Sequence, residues 1–401
     1  MKAVILAAGE GNRMHPLTYT RPKVMLPLAN KPIVEHLLLE AREAGIRDFI
    51  FVVGYHGDTV RRFFGNGDRW QVSIEYVTQR KQLGTTHALR MVERFIDGKF
   101  LLINGDVIVG GEYIRKIAAK KEISLSLVEV TNPRGLGVVE VEEGHVVRIY
   151  EKVANPPSNL ANAGLYLLTT DIFAAASGVK KSPRGEYELT DSLQLLIDEQ
   201  HRVSYEIIDN WLDLSYPWDL LAGNEALMSR VIPQNLGLVE ENAVIKGMVS
   251  IGKGTVIRAN SYIIGPVVIG ENCEIGPNCY IRPSTSIGDN CHIGSSVEVK
   301  NSIIMGDSKV PHHNYVGDSV IGEGCNLGAG TKIANLRLDK KEITATGINT
   351  GRHKLGAILG DGVQTGINAC IDVGSLLGNG TYIGAGALAS GVIAPNSRIY
   401  G

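Results

Sequence analysis

The chain has 401 residues, of which 44% are hydrophobic, so it is long enough to form two or three domains with separate cores. Its formal net charge of −2 provides no basic surface for nucleic acid or anionic lipid. No apolar run approaches the ~18 residues that a membrane-spanning helix needs. We therefore expect a protein that acts on small molecules, with neither nucleic acid nor membrane as a partner.

The first half of the chain has the sequence texture of an α/β domain. Short apolar runs, such as Val4–Ala7 and Phe100–Ile103, alternate with helical patterns such as Ile33–Ala44. This rhythm predicts a Rossmann-like fold with a mostly parallel sheet over residues 1–225. Ligands of such sheets bind at the carboxyl ends of the strands, so the residues just after each strand carry the most information.

A glycine-rich turn directly follows the first predicted strand. The sequence L-A-A-G-E-G-N-R begins at Leu6, and the sequence R-P-K follows shortly after it. Gly9 and Gly11 let the backbone approach a triphosphate, while Arg13 and Lys23 supply cations for its oxygens. Taken alone, the same residues also fit an ordinary strand–helix turn with surface cations.

Two carboxylates follow later apolar runs. Asp106 comes just after the strand that ends at Asn104, and Asp213 comes directly after Trp211-Leu212. Two carboxylates beside a triphosphate suit Mg²⁺, which takes few protein ligands and keeps several waters. Either residue alone would more often be a cap or turn residue.

In this order the motifs resemble the nucleotidyltransferase family that makes nucleotide sugars from a nucleoside triphosphate and a sugar 1-phosphate. The resemblance implies that Arg13 and Lys23 hold the phosphates as catalytic residues, and that Asp106 and Asp213 bind Mg²⁺. It implies a site for UTP or dTTP at Gly9, Gly11, Gln79, Gly84 and Thr85. It implies a sugar pocket lined by Gly137, Glu151, Asn162 and Thr190.

The second half carries a six-residue period. From Val239 to Val299 an aliphatic residue recurs at every sixth position, eleven times without a gap. This period is typical of short strands stacked in a parallel β-helix, with three strands per coil. We expect such a β-helix over residues 239–401, joined to the first domain by a linker at 226–238.

Asn or Gly often stands three places after the aliphatic residue, where a sharp corner needs a left-handed backbone. These residues are Asn242, Gly254, Asn260, Asn272, Asn278 and Asn290. The period stops after Met305 and resumes at Ile321. We expect the interrupting segments, 306–320 and 335–357, to be loops that project from the coil and concentrate binding residues.

Four of the five cysteines occupy small-residue positions of the hexads: Cys273, Cys279, Cys291 and Cys325. The odd count and the lack of a C-x-x-C motif favour packing in the coil over disulfides or metal binding. This usage of cysteine indicates a cytoplasmic protein.

The sequence P-H-H-N-Y-V-G-D, at residues 311–318, places a His three residues before a Tyr. This part of the chain resembles the acetyltransferase domain of bifunctional glucosamine-1-phosphate acetyltransferase/N-acetylglucosamine-1-phosphate uridylyltransferases, including their archaeal relatives. The resemblance implies a left-handed β-helix and a homotrimer with sites between subunits. It also implies that His312 is the general base for the sugar amine, a role that suits the ordinary titration of histidine. His313 is the competing candidate.

The same resemblance implies further substrate contacts. Arg282 and Lys300 would hold the sugar phosphate, and Tyr315, Asn326 and Asn335 would position the sugar and its amine. Lys341, in the second projecting loop, would reach a neighbouring subunit. Acetyl-CoA, the acetyl donor, would lie along the coil near Ala329, Thr365 and Ala385.

Three functions remain open at this point. The first is a bifunctional enzyme that acetylates glucosamine or galactosamine 1-phosphate and transfers a nucleotidyl group. The second is a glucose- or mannose-1-phosphate nucleotidyltransferase whose β-helix only oligomerises and regulates. The third is a non-catalytic subunit that senses nucleotide sugars, which the intact set of Arg13, Lys23, Asp106 and Asp213 argues against.

Overall fold

The computed structural model describes residues 1–209, 211–212 and 214–401. Contacts within the chain divide it into two compact units. The first comprises residues 1–10, 21–25 and 33–213, and the second comprises residues 11–20, 26–32 and 214–401. The expected boundaries at residues 225 and 238 stay predictions. Among the described residues, no helix is both long and apolar enough to cross a membrane.

The first unit is built around a nine-stranded sheet. Its strands are β1 Lys2–Ala7, β4 Asp48–Val53, β5 Ser73–Thr78, β6 Phe100–Asn104, β7 Ile123–Glu129, β8 Gly137–Glu142, β9 His145–Glu151, β10 Leu160–Leu168 and β11 Val203–Ile207; β2 Pro27–Leu28 and β3 Lys31–Pro32 form a hairpin in the second unit. The strand order is β5-β4-β1-β6-β10-β7-β11-β9-β8. The helices are α1 Ile33–Glu43, α2 Gly57–Phe64, α3 Thr85–Arg90, α4 Gly111–Ala118, α5 Asp171–Gly178 and α6 Leu189–Asp198.

The sheet is mixed, whereas the sequence predicted a mostly parallel one. Strands β5, β4, β1 and β6 run parallel, but β10 pairs antiparallel with both β6 and β7. Strands β8 and β9 form a hairpin that turns at Gly144, where φ is +81°. An apolar run does not encode the direction of its strand, so the sequence could not show this reversal.

Helices cover both faces of the sheet, which explains why the central strands are apolar throughout. Alternate residues of β1 enter opposite cores: Ala3 and Ile5 pack on the side of α1, α2 and α4, and Val4 packs on the side of α3, α5 and α6. The four parallel strands end at one edge, where Ala7 pairs with Val53 and Val53 pairs with Thr78. The functional loops of this unit start at that edge.

The second unit is a stack of coils with three parallel sheets, consistent with a left-handed β-helix. One sheet contains Gln234–Asn235, Val249–Ile251, Val267–Ile269, Thr285–Ile287, Ile303–Ile304, Val320–Ile321, Ala357–Leu359, Ser375–Leu377 and Val392–Ile393. The next contains Leu238–Val239, Val256–Ile257, Glu274–Ile275, His292–Ile293, Lys309–Val310, Asn326–Leu327, Gln364–Thr365, Tyr382–Ile383 and Arg398–Ile399. The third contains Val244–Lys246, Tyr262–Ile264, Tyr280–Ile281, Glu298–Lys300, Tyr315–Gly317, Lys332–Ile333, Cys370–Ile371 and Leu388–Ala389.

The hexad pattern correctly predicts the inside and the corners of the coil. Inward residues such as Ile257, Ile263 and Ile275 are completely buried, and each buried side chain of this size contributes about 1.5–3 kcal/mol of transfer free energy. The predicted corner residues all have a left-handed backbone, with φ from +53° at Asn272 to +73° at Gly254.

The predicted projecting loop at 306–320 is wrong, because that segment completes a coil. It contributes the strands Lys309–Val310 and Tyr315–Gly317. The spacing of inward residues shortens from six to five between Val299 and Ile304, so a strict six-residue period is lost although the coil continues.

The second predicted excursion, 335–357, does project from the coil. It contains a small hairpin of Thr344–Ala345 and Ile348–Asn349. The coils before and after it still pair in register, with Val320 opposite Ile358 and Ile333 opposite Ile371. The coil therefore continues beyond the excursion without a shift.

Helix α7, Asp219–Met228, is tied to the coil by one buried side chain. Asn224 is completely buried, and its Oδ1 accepts hydrogen bonds from the Ala29 amide at 2.8 Å and the Ser286 hydroxyl at 3.2 Å. Its Nδ2 donates to the Ser284 carbonyl at 2.9 Å. Asn224 thus joins the helix, the β2–β3 hairpin and the coil within the second unit.

The cysteines pack as expected from their hexad positions. Every cysteine is among the described residues, and none of them forms a disulfide. Cys273, Cys291 and Cys325 donate hydrogen bonds to carbonyl oxygens of the next coil. Burial raises the pKa of Cys291 and of Cys325 to about 12. Cys370 alone is exposed.

Candidate active sites

A lysine–aspartate pair lies at the carboxyl edge of the first sheet. Asp106 follows β6, and its Oδ2 accepts a hydrogen bond from Lys23 Nζ at 2.7 Å. Burial by itself would raise the pKa of Asp106, but the Lys23 ammonium holds it below its ordinary value. Gly105 allows this arrangement, because a Cβ there would lie 2.7 Å from the Leu6 carbonyl oxygen of β1.

The other residues predicted for the phosphates fall in different places. Gly9 lies exposed just after β1. Gly11 and Arg13 belong to the second unit, where Gly11 has a φ of +70° and the Arg13 guanidinium lies 6.0 Å from the centre of the Tyr216 ring. Asp213, the second predicted metal ligand, lies outside the described residues.

The structure brings together three of the five residues predicted for the nucleotide, namely Gln79, Gly84 and Thr85. Gln79 is buried after β5, and its Nε2 donates to the Gly84 carbonyl at 3.2 Å. Gly84 has a φ of +105°, and a Cβ there would lie 2.5 Å from the Tyr187 carbonyl oxygen, so only glycine fits. Thr85 starts α3, and its hydroxyl accepts a hydrogen bond from the Leu189 amide at 2.8 Å.

The four residues predicted for the sugar pocket also form one cluster. Gly137 pairs with Glu151 across the β8–β9 hairpin, and a Cβ at Gly137 would lie 3.1 Å from Glu151 Oε2. The Thr190 hydroxyl donates to the same oxygen at 3.1 Å. Asn162 lies next to Gly137 where the register of β10 shifts, and its amide donates to the Tyr166 hydroxyl at 2.8 Å.

Sequence reasoning assigned no role to the cations of this pocket. Lys152 Nζ lies 3.6 Å from Glu151 Oε1, and Arg184 lies 3.3 Å from the same oxygen and 2.6 Å from Glu188. Burial raises the pKa of Glu151, an effect that Lys152 opposes and Glu188 reinforces. Arg184 lies in the loop between α5 and α6, several residues away from either helix. Only its position in space therefore identifies it as part of the pocket.

A second polar cluster lies on the third sheet of the β-helix. Asp318, only 3% exposed, accepts hydrogen bonds from Lys300 at 3.0 Å, from Asn301 at 2.8 Å and from Asn335 at 2.5 Å. Asn335 also donates to the Tyr315 hydroxyl at 3.1 Å. The cluster thus unites three predicted substrate residues around a carboxylate that the sequence did not single out.

The remaining predicted sugar contacts are more scattered. Arg282 donates to Glu298 Oε1 at 2.9 Å, and both side chains are partly exposed. Asn326 is an exposed strand residue of the second sheet. Lys341 is exposed in the projecting loop, where its amide donates to Asp339 at 3.2 Å.

His312 and the residues predicted for acetyl-CoA share one corner of successive coils. The Gly330 amide donates to the His312 carbonyl at 2.9 Å, and the Asn368 amide donates to the Ala329 carbonyl at 2.7 Å. One coil further, a Cβ at Gly366 would lie 2.5 Å from the Ala385 amide nitrogen. His312, Ala329 and Ala385 therefore lie in a row along the coil.

Thr365 lies at the same level but points inward. Its side chain is buried, and its hydroxyl accepts from the Gly328 amide at 2.8 Å and bonds to the Thr331 hydroxyl at 2.6 Å. Its hydroxyl is therefore already occupied within the coil, which leaves the backbone of this corner as the surface that a ligand could contact.

Two family models match the chain. Residues 2–230 match the nucleotidyl transferase family, and residues 263–399 match the GMPPB C-terminal domain. Among solved structures, a glucose-1-phosphate thymidylyltransferase from Bacillus anthracis aligns with a TM-score of 0.53 and 29% identity, covering 59% of this chain and 97% of the other.

Curated relatives match the chain from end to end. The bifunctional protein GlmU of Methanococcus maripaludis strain C7 is 42% identical over 407 residues, covering 100% of this chain and 97% of the relative. A bifunctional sugar-1-phosphate nucleotidylyltransferase/acetyltransferase of Sulfurisphaera tokodaii is 43% identical over 396 residues, covering 97% of each chain.

Proposed function

Because the chain belongs to the family of bifunctional sugar-1-phosphate nucleotidyltransferases/acetyltransferases, we propose that it uses both activities on amino-sugar phosphates. The second unit acetylates glucosamine or galactosamine 1-phosphate with acetyl-CoA. The N-acetylated sugar 1-phosphate, or glucose 1-phosphate, then receives a nucleotidyl group from UTP or dTTP at the first unit, and pyrophosphate is released. The observation that carries this proposal is that each half of one chain retains a charged polar cluster, Lys23–Asp106 and Lys300–Asp318.

Nucleotidyl transfer needs positioning and charge neutralisation more than a general base. The sugar phosphate attacks the α-phosphorus in line, and Lys23 offsets the negative charge that the phosphates bring together. A carboxylate that is already paired with an ammonium stays ionised, so Asp106 remains available as a ligand.

The residues around Asp106 fit a Mg²⁺ ion. The Asp106 side chain is 39% exposed despite its bond to Lys23, and Mg²⁺ needs only one or two protein carboxylates when a triphosphate supplies the rest. Asp106 and Asp213 would hold the ion, and a bound Mg²⁺ would polarise the phosphate oxygens. We expect chelation of Mg²⁺ to abolish pyrophosphate release and to leave acetyl transfer unchanged.

The sugar is held by the cluster around Glu151. Glu151, Asn162 and Thr190 offer acceptors and donors for sugar hydroxyls, and Gly137 leaves room for the ring because it has no side chain. The cations Lys152 and Arg184 balance the carboxylates of this pocket, so that a sugar phosphate is not repelled.

Acetyl transfer takes place on the β-helix. His312 takes the proton from the sugar amine as the amine attacks the thioester. Lys300 and Arg282 hold the sugar phosphate, while Tyr315 and Asn335 position the sugar. Asn326 lies on a different sheet, the second, and contributes a further polar group from there.

Acetyl-CoA lies along the corner that His312 begins, past Ala329 and the backbone at Thr365 toward Ala385. The extended pantetheine arm would also pass Ile367, which lies in the same row between Ala329 and Ala385 and is 59% exposed. The chain forms a homotrimer, in which Lys341 of the projecting loop reaches the site of a neighbour. Its five free thiols, four of them buried, support a reducing compartment, so we infer a cytoplasmic location.

A thiol-release assay with acetyl-CoA and glucosamine 1-phosphate tests the proposal. Wild-type protein should release CoA thiol, and His312→Ala should not. His313→Asn is the matched control, because Asn tolerates the φ of +50° at that corner. Pyrophosphate release from UTP or dTTP, measured on the same samples, should be unchanged in both variants.

If no variant and no wild-type sample releases thiol while pyrophosphate release persists, the β-helix has no acetyltransferase role. The chain would then be a glucose- or mannose-1-phosphate nucleotidyltransferase. The match of residues 263–399 to the GMPPB C-terminal domain favours this second candidate.

A further inference from the structure

His87 lies beside the predicted base-binding amide and has no role in the proposed function so far. It is half-buried in α3, and its Nδ1 lies 2.9 Å from Gln79 Nε2. Gln79 itself is 3% exposed, and its backbone amide donates to the Val53 carbonyl at 2.7 Å. The imidazole therefore contacts a side chain that the fold already holds in place.

The orientation of the Gln79 amide follows from its other neighbour. The Gly84 oxygen, 3.2 Å from Gln79 Nε2, is a carbonyl and can only accept hydrogen bonds. It also accepts from the Ala88 amide at 3.2 Å in the first turn of α3, which fixes its direction. The amide nitrogen, and not the amide oxygen, must therefore face Gly84 and His87.

This orientation determines the state of the imidazole. A Gln amide has two N–H groups, and with one on the Gly84 carbonyl the other points at His87 Nδ1. Nδ1 can accept this hydrogen only when it carries none itself, so the ring is neutral with its hydrogen on Nε2. Burial and then the charge of Arg90 lower the pKa of His87, which favours that neutral form.

The amide oxygen is the part of Gln79 that is left for a ligand. Within the described residues, no group donates a hydrogen bond to Oε1. Oε1 is also not one of the fully buried side-chain atoms that lack a partner, so it is accessible from solvent. An oxygen fixed in this way accepts a hydrogen but cannot donate one. Uracil, thymine and guanine carry a ring N–H that matches it, whereas the ring nitrogens on the pairing edges of cytosine and adenine are acceptors.

We propose that His87 is a positioning residue that locks the Gln79 amide as a hydrogen-bond acceptor, so that the site selects bases with a ring N–H. This inference rests on the proposed nucleotidyl transfer, in which Gln79 faces the base. His87 does not contact the base itself; it acts by accepting the second amide hydrogen of Gln79.

Equilibrium binding of UTP, dTTP, GTP and CTP, together with kcat/KM for pyrophosphate release, tests the inference. His87→Phe keeps a ring but removes the acceptor, while His87→Asn places an oxygen close to the position of Nδ1. His201→Phe, at an exposed site of the same unit, is the control for the substitution itself.

We expect the wild-type protein to bind UTP or dTTP more tightly than CTP. In His87→Phe the ratio of UTP affinity to CTP affinity should fall about tenfold, because UTP binds more weakly. His87→Asn should keep the ratio within about threefold, and His201→Phe should not change it. In a Gln79→Ala background, His87→Phe should have no further effect on the ratio, because the residue through which it acts is gone.

An unchanged UTP/CTP ratio in His87→Phe would overturn the inference, and so would an equal loss in His87→Asn. Nucleotide binding is measured without the sugar phosphate, so it also separates two kinds of failure. If wild-type protein binds UTP selectively but releases no pyrophosphate, the proposed reaction is contradicted. The role of His87 would then be decided by the nucleotide-binding ratios alone.

Discussion

Replacing Asp318 by Asn removes the charge at the centre of the polar cluster on the β-helix. Its carboxylate is 3% exposed and accepts hydrogen bonds from Lys300, Asn301 and Asn335. The backbone φ of +51° is one that Asn adopts readily, so the substitution changes the chemistry without straining the corner.

The expected cost follows from the donors that Asn cannot satisfy. One carboxylate oxygen receives Asn301 and the other receives Lys300 and Asn335, whereas an amide has a single oxygen and two N–H groups. At least one buried donor then faces another donor, which costs about 1–3 kcal/mol. Breaking a buried ion pair costs ~3–5 kcal/mol, but the Lys300 side chain is 19% exposed and can be hydrated. We therefore expect a loss of about 2–3 kcal/mol of stability in total.

The effect on activity should be confined to acetyl transfer. Lys300 and Asn335 lose the anchor that holds them, so KM for the amino-sugar phosphate should rise, with kcat/KM falling by ~10–100-fold. Asp307→Asn is the matched control, because Asp307 lies on the same coil with a φ of +58° but is exposed. Pyrophosphate release by the first unit serves as an internal test of folding.

Two outcomes would refute this reasoning. Acetyl transfer at the wild-type level in Asp318→Asn would mean that the cluster does not position the substrate residues. An equal loss in Asp307→Asn would mean that any Asn at a corner disturbs the coil, irrespective of the buried charge.

Three further changes have defined outcomes. Gly84→Ala should abolish pyrophosphate release and spare thiol release, because its Cβ would lie 2.5 Å from the Tyr187 carbonyl oxygen at a φ of +105°. Lys23 lowers the pKa of Asp106, so the stability from this pair is complete above the ordinary carboxyl pKa of about 4 and is lost as pH falls through the lower folded value. Lys23→Met should therefore move the midpoint of acid unfolding of the first unit to higher pH, and an unmoved midpoint would contradict the role of the pair. Asn224→Ala removes three buried hydrogen bonds and should cost about 2–3 kcal/mol in thermal or denaturant unfolding of the second unit.

The sequence predicted the coil well because its period is local. Each inward aliphatic repeats the same steric requirement, and each corner Asn or Gly satisfies a backbone conformation that can be read residue by residue. The prediction failed at 306–320 because the steps from Val299 to Ile304 and from Val316 to Ile321 are each one residue short. A strict period cannot follow such a change, although the buried coil accommodates it.

The first unit was predictable to the extent that its loops follow apolar strands. Asp106 could be placed because it directly follows the apolar run of β6, whereas its contact with Lys23, which lies well beyond the end of β1, could not. The reversed direction of β10 and the position of Arg184 depend on contacts between distant segments. His87 was missed for a related reason, since the direction of its hydrogen bond with Gln79 depends on the position of Gly84, which only the folded structure defines.

The burial of four cysteines in the coil has a practical consequence for work on this protein. Thiolate is the species that reacts with alkylating and disulfide reagents, and burial raises the pKa of Cys273, Cys279, Cys291 and Cys325. The native chain should therefore offer one rapidly reacting thiol, Cys370, as a constant background. The buried thiols would react only when the coil around them opens. The rate of their slower reaction would therefore report local unfolding of the β-helix, with the same reagent that measures released CoA.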